Sequence, residues 1–134
     1  LYVRSFIDPD APGTIVSNKD TSKIIPSFIV KTNQVLVSIV PKDYSFVTEV
    51  HFTRIFAVLS ELRMKTNCMQ NSAVSFSFST NNDPGKLQAL KKALSSEYDV
   101  HLTEGAELVT IRYYDDQQIL FEHLSGTSAQ LVVK

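Results

Sequence analysis

The stretch Ala73-Val-Ser-Phe-Ser-Phe-Ser-Thr80 constrains the fold more than any other part of the chain. Apolar and polar residues alternate there with a period of two. A helix cannot satisfy that period, because only in a β-strand do successive side chains point to opposite faces. Val74, Phe76 and Phe78 are expected on one face and the serines on the other, where they meet water or another chain. A strand with one apolar face needs a second layer to cover it.

Helical patterns on both sides of this strand supply that layer. Upstream, the run Val35 to Val40, closed by Pro41, suits a central strand. After a loop over Lys42 to Ser45, apolar residues recur at Val47, Val50, Ile55, Val58, Leu59 and Leu62, with Phe52 and Phe56 beside them. This is helical spacing, and Ser45 is the expected N-cap. Lys65 to Gln70 shows no helical stripe and is expected to be a strand, with a turn at Asn71-Ser72. Downstream, Asn81-Asn-Asp-Pro-Gly85 ends the alternating strand, with Asp83 as cap and Pro84 at the first helical position. Leu87, Leu90, Ala93 and Leu94 form the buried stripe of this second helix, while Lys86, Lys91 and Lys92 read as a solvated face. Tyr98 to Thr103 alternates again and is expected to be a strand. Residues 34–103 therefore read β-α-β-β-α-β, an α+β, ferredoxin-like sandwich with an antiparallel sheet and two helices on one face.

The flanks are less regular. Leu1 to Lys31 holds short β-rich pieces at Tyr2–Ile7, Thr14–Val16 and Ser27–Val30, with a turn at Asp8 to Gly13, and forms either a linker or a packed arm. Ala106–Tyr113 and Ala129–Val133 read as strands, and Gln117–Leu124 as a strand or short helix. Residues 104–134 have no room for two helices, so a second complete unit is not expected. The chain opens on Leu1 in mid-pattern and reads as a piece of a larger protein.

Charge excludes some functions. Thirteen Lys and Arg against fourteen Asp and Glu give a net charge of -1, which argues against a nucleic-acid surface. No apolar run approaches a membrane span. The single Cys68 provides no disulfide framework, implies a reducing, cytoplasmic setting and reads as a small buried hydrophobe. Phosphate-binding and dinucleotide glycine motifs and zinc spacings are missing, and the four glycines read as turns. His51, His101 and His123 are isolated, and Asp115-Asp116 reads as a polar turn. No catalytic, metal or cofactor site is expected in this chain.

Three wordings resemble the regulatory region of aspartate kinases. Asp10-Ala-Pro-Gly-Thr-Ile15, followed by Asn33-Gln34 and an apolar strand, is similar to the junction after their catalytic domain. Met69 to Ser79 is similar to the strand-turn-strand of their first ACT module, and Glu104 to Ile111 to the step into the second. The resemblance implies a complete ACT domain at 34–103, flanked by 1–33 and 104–134 as strands of a shortened second ACT module. It further implies feedback inhibition by an end-product amino acid, lysine first and threonine next, of a parent enzyme that phosphorylates aspartate with ATP and Mg. The implied partners are an upstream catalytic kinase domain and a second chain, joined as a homodimer through ACT–ACT sheet pairing. The implied effector contacts are Asp43, Ser45, Phe46 and Val47 in the loop before the first helix, and Thr66, Asn67 and Ser72 on a neighbouring chain's strand. The family often has an acidic or amide side chain at Asn67. Lysine-sensitive members often have Glu where Ala73 stands, a departure that weakens lysine as the effector. Two alternatives are a ligand-independent dimerisation module and the ACT tail of another enzyme of amino-acid metabolism.

Overall fold

Two strands of fifteen residues organise the molecule: β3 at Ser27–Pro41 and β6 at Tyr98–Arg112, which pair antiparallel along most of their lengths. The computed structural model describes residues 1–18 and 27–113. Before β3 stand β1 (Tyr2–Val3) and β2 (Thr14–Ile15), which form a small hairpin. Between β3 and β6 come α1 (Glu49–Glu61), β4 (Cys68–Asn71), β5 (Phe76–Asn81) and α2 (Pro84–Leu94). The main sheet is antiparallel in the order β4-β5-β3-β6. With the helices on one face this is the ferredoxin-like α+β arrangement that the periodicity predicts.

One cluster holds the layers together. Val35, Val37 and Ile39 of β3, Phe76 and Phe78 of β5, and Tyr98 and Val100 of β6 are buried against Ile55, Val58 and Leu59 of α1 and Leu87, Leu90 and Leu94 of α2. Phe76 meets Phe52 and Phe56 edge-on at 5.4 and 5.6 Å between ring centroids, which anchors α1 over β5. The α2 start is as the sequence implies: the Asp83 carboxylate accepts from the Lys86 N–H, and Pro84 occupies the first turn.

Several local expectations are corrected. The α1 N-cap is Thr48, not Ser45: Thr48 donates its backbone N–H to His51 Nδ1 at 3.1 Å. Val50 is exposed rather than in the buried stripe. At 100° per residue it lies roughly 140° around the helix from Ile55, on the far side. Strand β4 starts at Cys68 rather than Lys65, and Cys68 is half-buried. The turn spans Ser72 to Ser75, so Val74 sits at an exposed tip and not in line with Phe76. Lys86 is not purely solvated, because its ammonium donates to the Arg63 carbonyl at 3.1 Å. In the arm, only Tyr2–Val3 of the expected first strand pairs, and residues 1–18 are exposed apart from half-buried Ala11. Gln117–Leu124, Ala129–Val133, His123 and Asp115-Asp116 lie outside the described residues.

The strands that the sequence separates at Lys31/Gln34 and at Thr103/Ala106 each run on as one. The joints are bulges: the β3–β6 register shifts between Lys31 and Gln34 and again between Gln34 and Leu36. Asn33 and Gly105 take the left-handed φ values of 55° and 70° there. Asn tolerates that region better than most side chains, and Gly enters it freely. Gly105 therefore serves a bulge, not a turn.

Candidate functional site

The sequence-predicted residues fall into two groups at opposite ends of β4. At one end is the loop from β3 into α1. Asp43 accepts from both the N–H and the hydroxyl of Ser45, at 3.0 and 2.7 Å, closing a local turn. The two Ser45 hydrogen bonds, hydroxyl first, hold the Asp43 carboxyl below its ordinary range. Ser45 Oγ lies 3.5 Å from His51 Nε2, so one histidine spans the loop and the helix cap. The Val47 N–H donates to the Ala73 carbonyl at 2.8 Å, which fastens this loop to the β4–β5 turn. Ser72 closes that turn: its hydroxyl lies 2.8 Å from Ser75 Oγ and accepts from the Ser75 N–H at 3.0 Å. Asp43, Ser45, Phe46, Val47 and Ser72 thus share one end of the sheet. Val47 packs against the core, while Phe46 is 69% exposed and Val50 and Val74 are exposed as well.

Thr66 and Asn67 are at the other end. Five residues of near-extended chain from Asn67 to Ser72 span roughly 17 Å. A free amino acid cannot bridge the two groups within one chain. Asn67 is held in a polar cluster that the sequence does not announce. Its Nδ2 donates to Gln34 Oε1 at 2.7 Å and to Asn81 Oδ1 at 3.2 Å, and its Oδ1 accepts from Lys31 Nζ at 2.7 Å. Gln34 is almost fully buried, and its own Nε2 is spent on Asn81 Oδ1 and the carbonyls of Thr32 and Asn33. The cluster sits where the β3 bulge brings Lys31 and Gln34 beside the start of β4. Sequence reasoning missed the meeting of Lys31, Gln34 and Asn81 with Asn67, because those strands are joined only through sheet register. It also missed His51, whose contacts with Thr48 and Ser45 are local to the helix start.

Among the described residues, no group of three or more His, Cys, Asp or Glu could hold a metal ion, and no helix is long and apolar enough to cross a membrane.

No family model matches the sequence, and neither does any curated protein. Solved structures do match. Aspartokinase III of Escherichia coli, in complex with lysine and aspartate (T-state), aligns at TM-score 0.67 and 24% identity over 82% of this chain and 26% of that one. The chain therefore spans about a quarter of that enzyme's length. A Porphyromonas gingivalis domain described as a C-terminal regulatory domain of aspartate kinase aligns at TM-score 0.63 and 18% identity, covering 81% of this chain and 77% of that one. The regulatory subunit of aspartate kinase from Thermus thermophilus aligns at TM-score 0.51 and 14% identity, covering 63% and 59%. At such identities the likeness carries the fold, and the fold is that of aspartate kinase regulatory domains.

Proposed function

We propose that this chain is the allosteric regulatory region of an aspartate kinase, sensing an end-product amino acid, with lysine first and threonine next. The observation that carries the reading is the fold match over 82% of the chain to an aspartokinase whose structure holds lysine. In the proposed parent, an upstream catalytic domain uses ATP and Mg to phosphorylate the β-carboxylate of aspartate in the cytoplasm. The effector inhibits it by binding an inactive arrangement more tightly than the active one. Residues 34–103 act as the complete ACT module, while 1–33 and 104–134 contribute to the shortened second one.

The separation of the two residue groups supports an intermolecular site. Strand β4 is an edge of the sheet, and Met69 on β4 and Phe56 on α1 are apolar and exposed. Two copies paired antiparallel through β4 double the four-stranded sheet. That pairing sets Asn67 of one protomer beside the Ser72 end of the other. The effector then meets the 43–47 loop of one chain and the Thr66–Asn67 side chains of its partner.

Calorimetry with lysine, threonine and methionine tests this, with sedimentation for the oligomeric state. Lysine is expected to bind a dimer, and Asn67→Ala to weaken it at least fivefold with the circular dichroism spectrum unchanged. A monomer that binds none of the three overturns the proposal, and equal affinity in the variant removes Asn67 from the site. Exposed Phe46, Val50 and Val74 favour one rival reading, a module that only dimerises. A dimer with no ligand heat would establish it.

A further inference from the structure

We propose that Lys31 is an intramolecular competitor for the ammonium position at Asn67, so that an effector must displace the chain's own lysine in order to bind. The inference rests on the reading of Asn67 as an effector contact. A primary ammonium already occupies the Asn67 carbonyl oxygen: Lys31 Nζ lies 2.7 Å from Oδ1. The amide cannot turn away. Its Nδ2 is committed to Gln34 Oε1 and Asn81 Oδ1, and Gln34, 2% exposed, is itself fixed by two backbone carbonyls. Reversing the Asn67 amide would set its oxygen against Gln34 Oε1 and its NH2 against the Lys31 ammonium. The network therefore presents one acceptor, and it presents it to a cation.

The occupant is displaceable. Lys31 is exposed, and its hydrogen-bond partner Asn67 is a neutral amide, whereas the ion pairs among the described residues join Lys42 to Asp99 and Arg54 to Glu97. An effector ammonium offers the same N–H to the same oxygen. Exchanging one for the other gains nothing at that bond, so the incoming amino acid binds more weakly than at a vacant acceptor. The location adds a consequence. Lys31 stands on the far side of the β3 bulge from Gln34, two residues before Asn33 with its left-handed backbone. Displacing it releases a tie between the helix-backed sheet and the β3–β6 extension.

Calorimetry with L-lysine on the 134-residue chain, Lys31→Met and Lys31→Arg tests the competition. Lys31→Met keeps the aliphatic stem and removes the charge. It should tighten binding about three- to tenfold, the scale of one partly exposed charge-assisted hydrogen bond. Lys31→Arg should bind like the wild type, and thermal melts confirm folding of all three. Equal affinity in Lys31→Met and wild type overturns the competition while leaving the effector reading standing. Weaker binding by Lys31→Met also overturns it and assigns Lys31 to a ligand carboxylate. If none of the three proteins binds lysine, threonine or methionine, the effector reading fails and this inference fails with it.

Discussion

Strands β3 and β6 pair on both sides of their bulge, yet the two halves differ in what pairing achieves. In the helix-backed half, Val37 and Ile39 are 0% and 1% exposed. In the extension, where Ser27–Lys31 pairs with Leu108–Arg112, Ile29 and Val30 are 53% and 55% exposed. Both halves are rich in apolar residues and both form antiparallel ladders. A ladder satisfies backbone hydrogen bonds but removes little side-chain surface from water; a covering layer does that. The extension is shaped as strands without being part of the core.

The same substitution in the same strand tests this most directly. Ile39→Ala should cost about 2–5 kcal/mol in denaturant unfolding, through lost burial plus a cavity. A cost near that of an exposed site would break the comparison. Gln34→Ala acts at the joint between the halves, removing one of the two partners of Asn67 Nδ2 and one of the two partners of Asn81 Oδ1. We expect a loss of about 1–3 kcal/mol. Asp83→Ala weakens the covering layer by removing the α2 cap, and about 1 kcal/mol should be lost from the unfolding free energy. Ile29→Ala should fall within about 0.5 kcal/mol of wild type. A larger loss would show that this face is covered in solution, and hydrogen exchange along residues 27–31 would locate the cover.

The smallest effect appears only at high pH. Burial first, then the nearby Glu97 charge, raises the Tyr98 phenol above its ordinary value. A raised folded pKa means that the folded state holds its proton longer. The stabilisation is full below about pH 10 and is lost as pH climbs through the higher folded value. Tyr98→Phe should match wild type at neutral pH and lack this alkaline loss. Denaturant midpoints across that range check it, and a wild-type midpoint that stays level would count against it.

Much of the fold was legible because its signals are local. The Phe76–Phe78 alternation, the Asp83-Pro84 start and the Leu87, Leu90, Leu94 stripe each depend on residues within one element, and each is where periodicity puts it. The misplacements arose where two local signals competed. Ser45 looked like a cap, but its hydroxyl binds Asp43, and the backbone N–H of Thr48 finds His51 instead. Val50 is apolar near the helix start, yet the wheel angle turns it outward. Val74 keeps the alternation of β5 in sequence but falls in the Ser72–Ser75 turn.

The candidate site was legible only as a set of names. Resemblance pointed to the 43–47 loop and to Thr66, Asn67 and Ser72, but no sequence pattern distinguishes the two ends of β4. The Val47–Ala73 hydrogen bond joins the loop to Ser72, and β4 carries Asn67 away from both.

The sequence by itself determined the β-α-β-β-α-β order and the faces that its elements bury, because side-chain period is a property of a few neighbouring residues. Tertiary structure alone decided that Lys31, Gln34, Asn67 and Asn81 meet. Those four are brought together by strand register and a bulge, and register is set by the packing of the whole sheet.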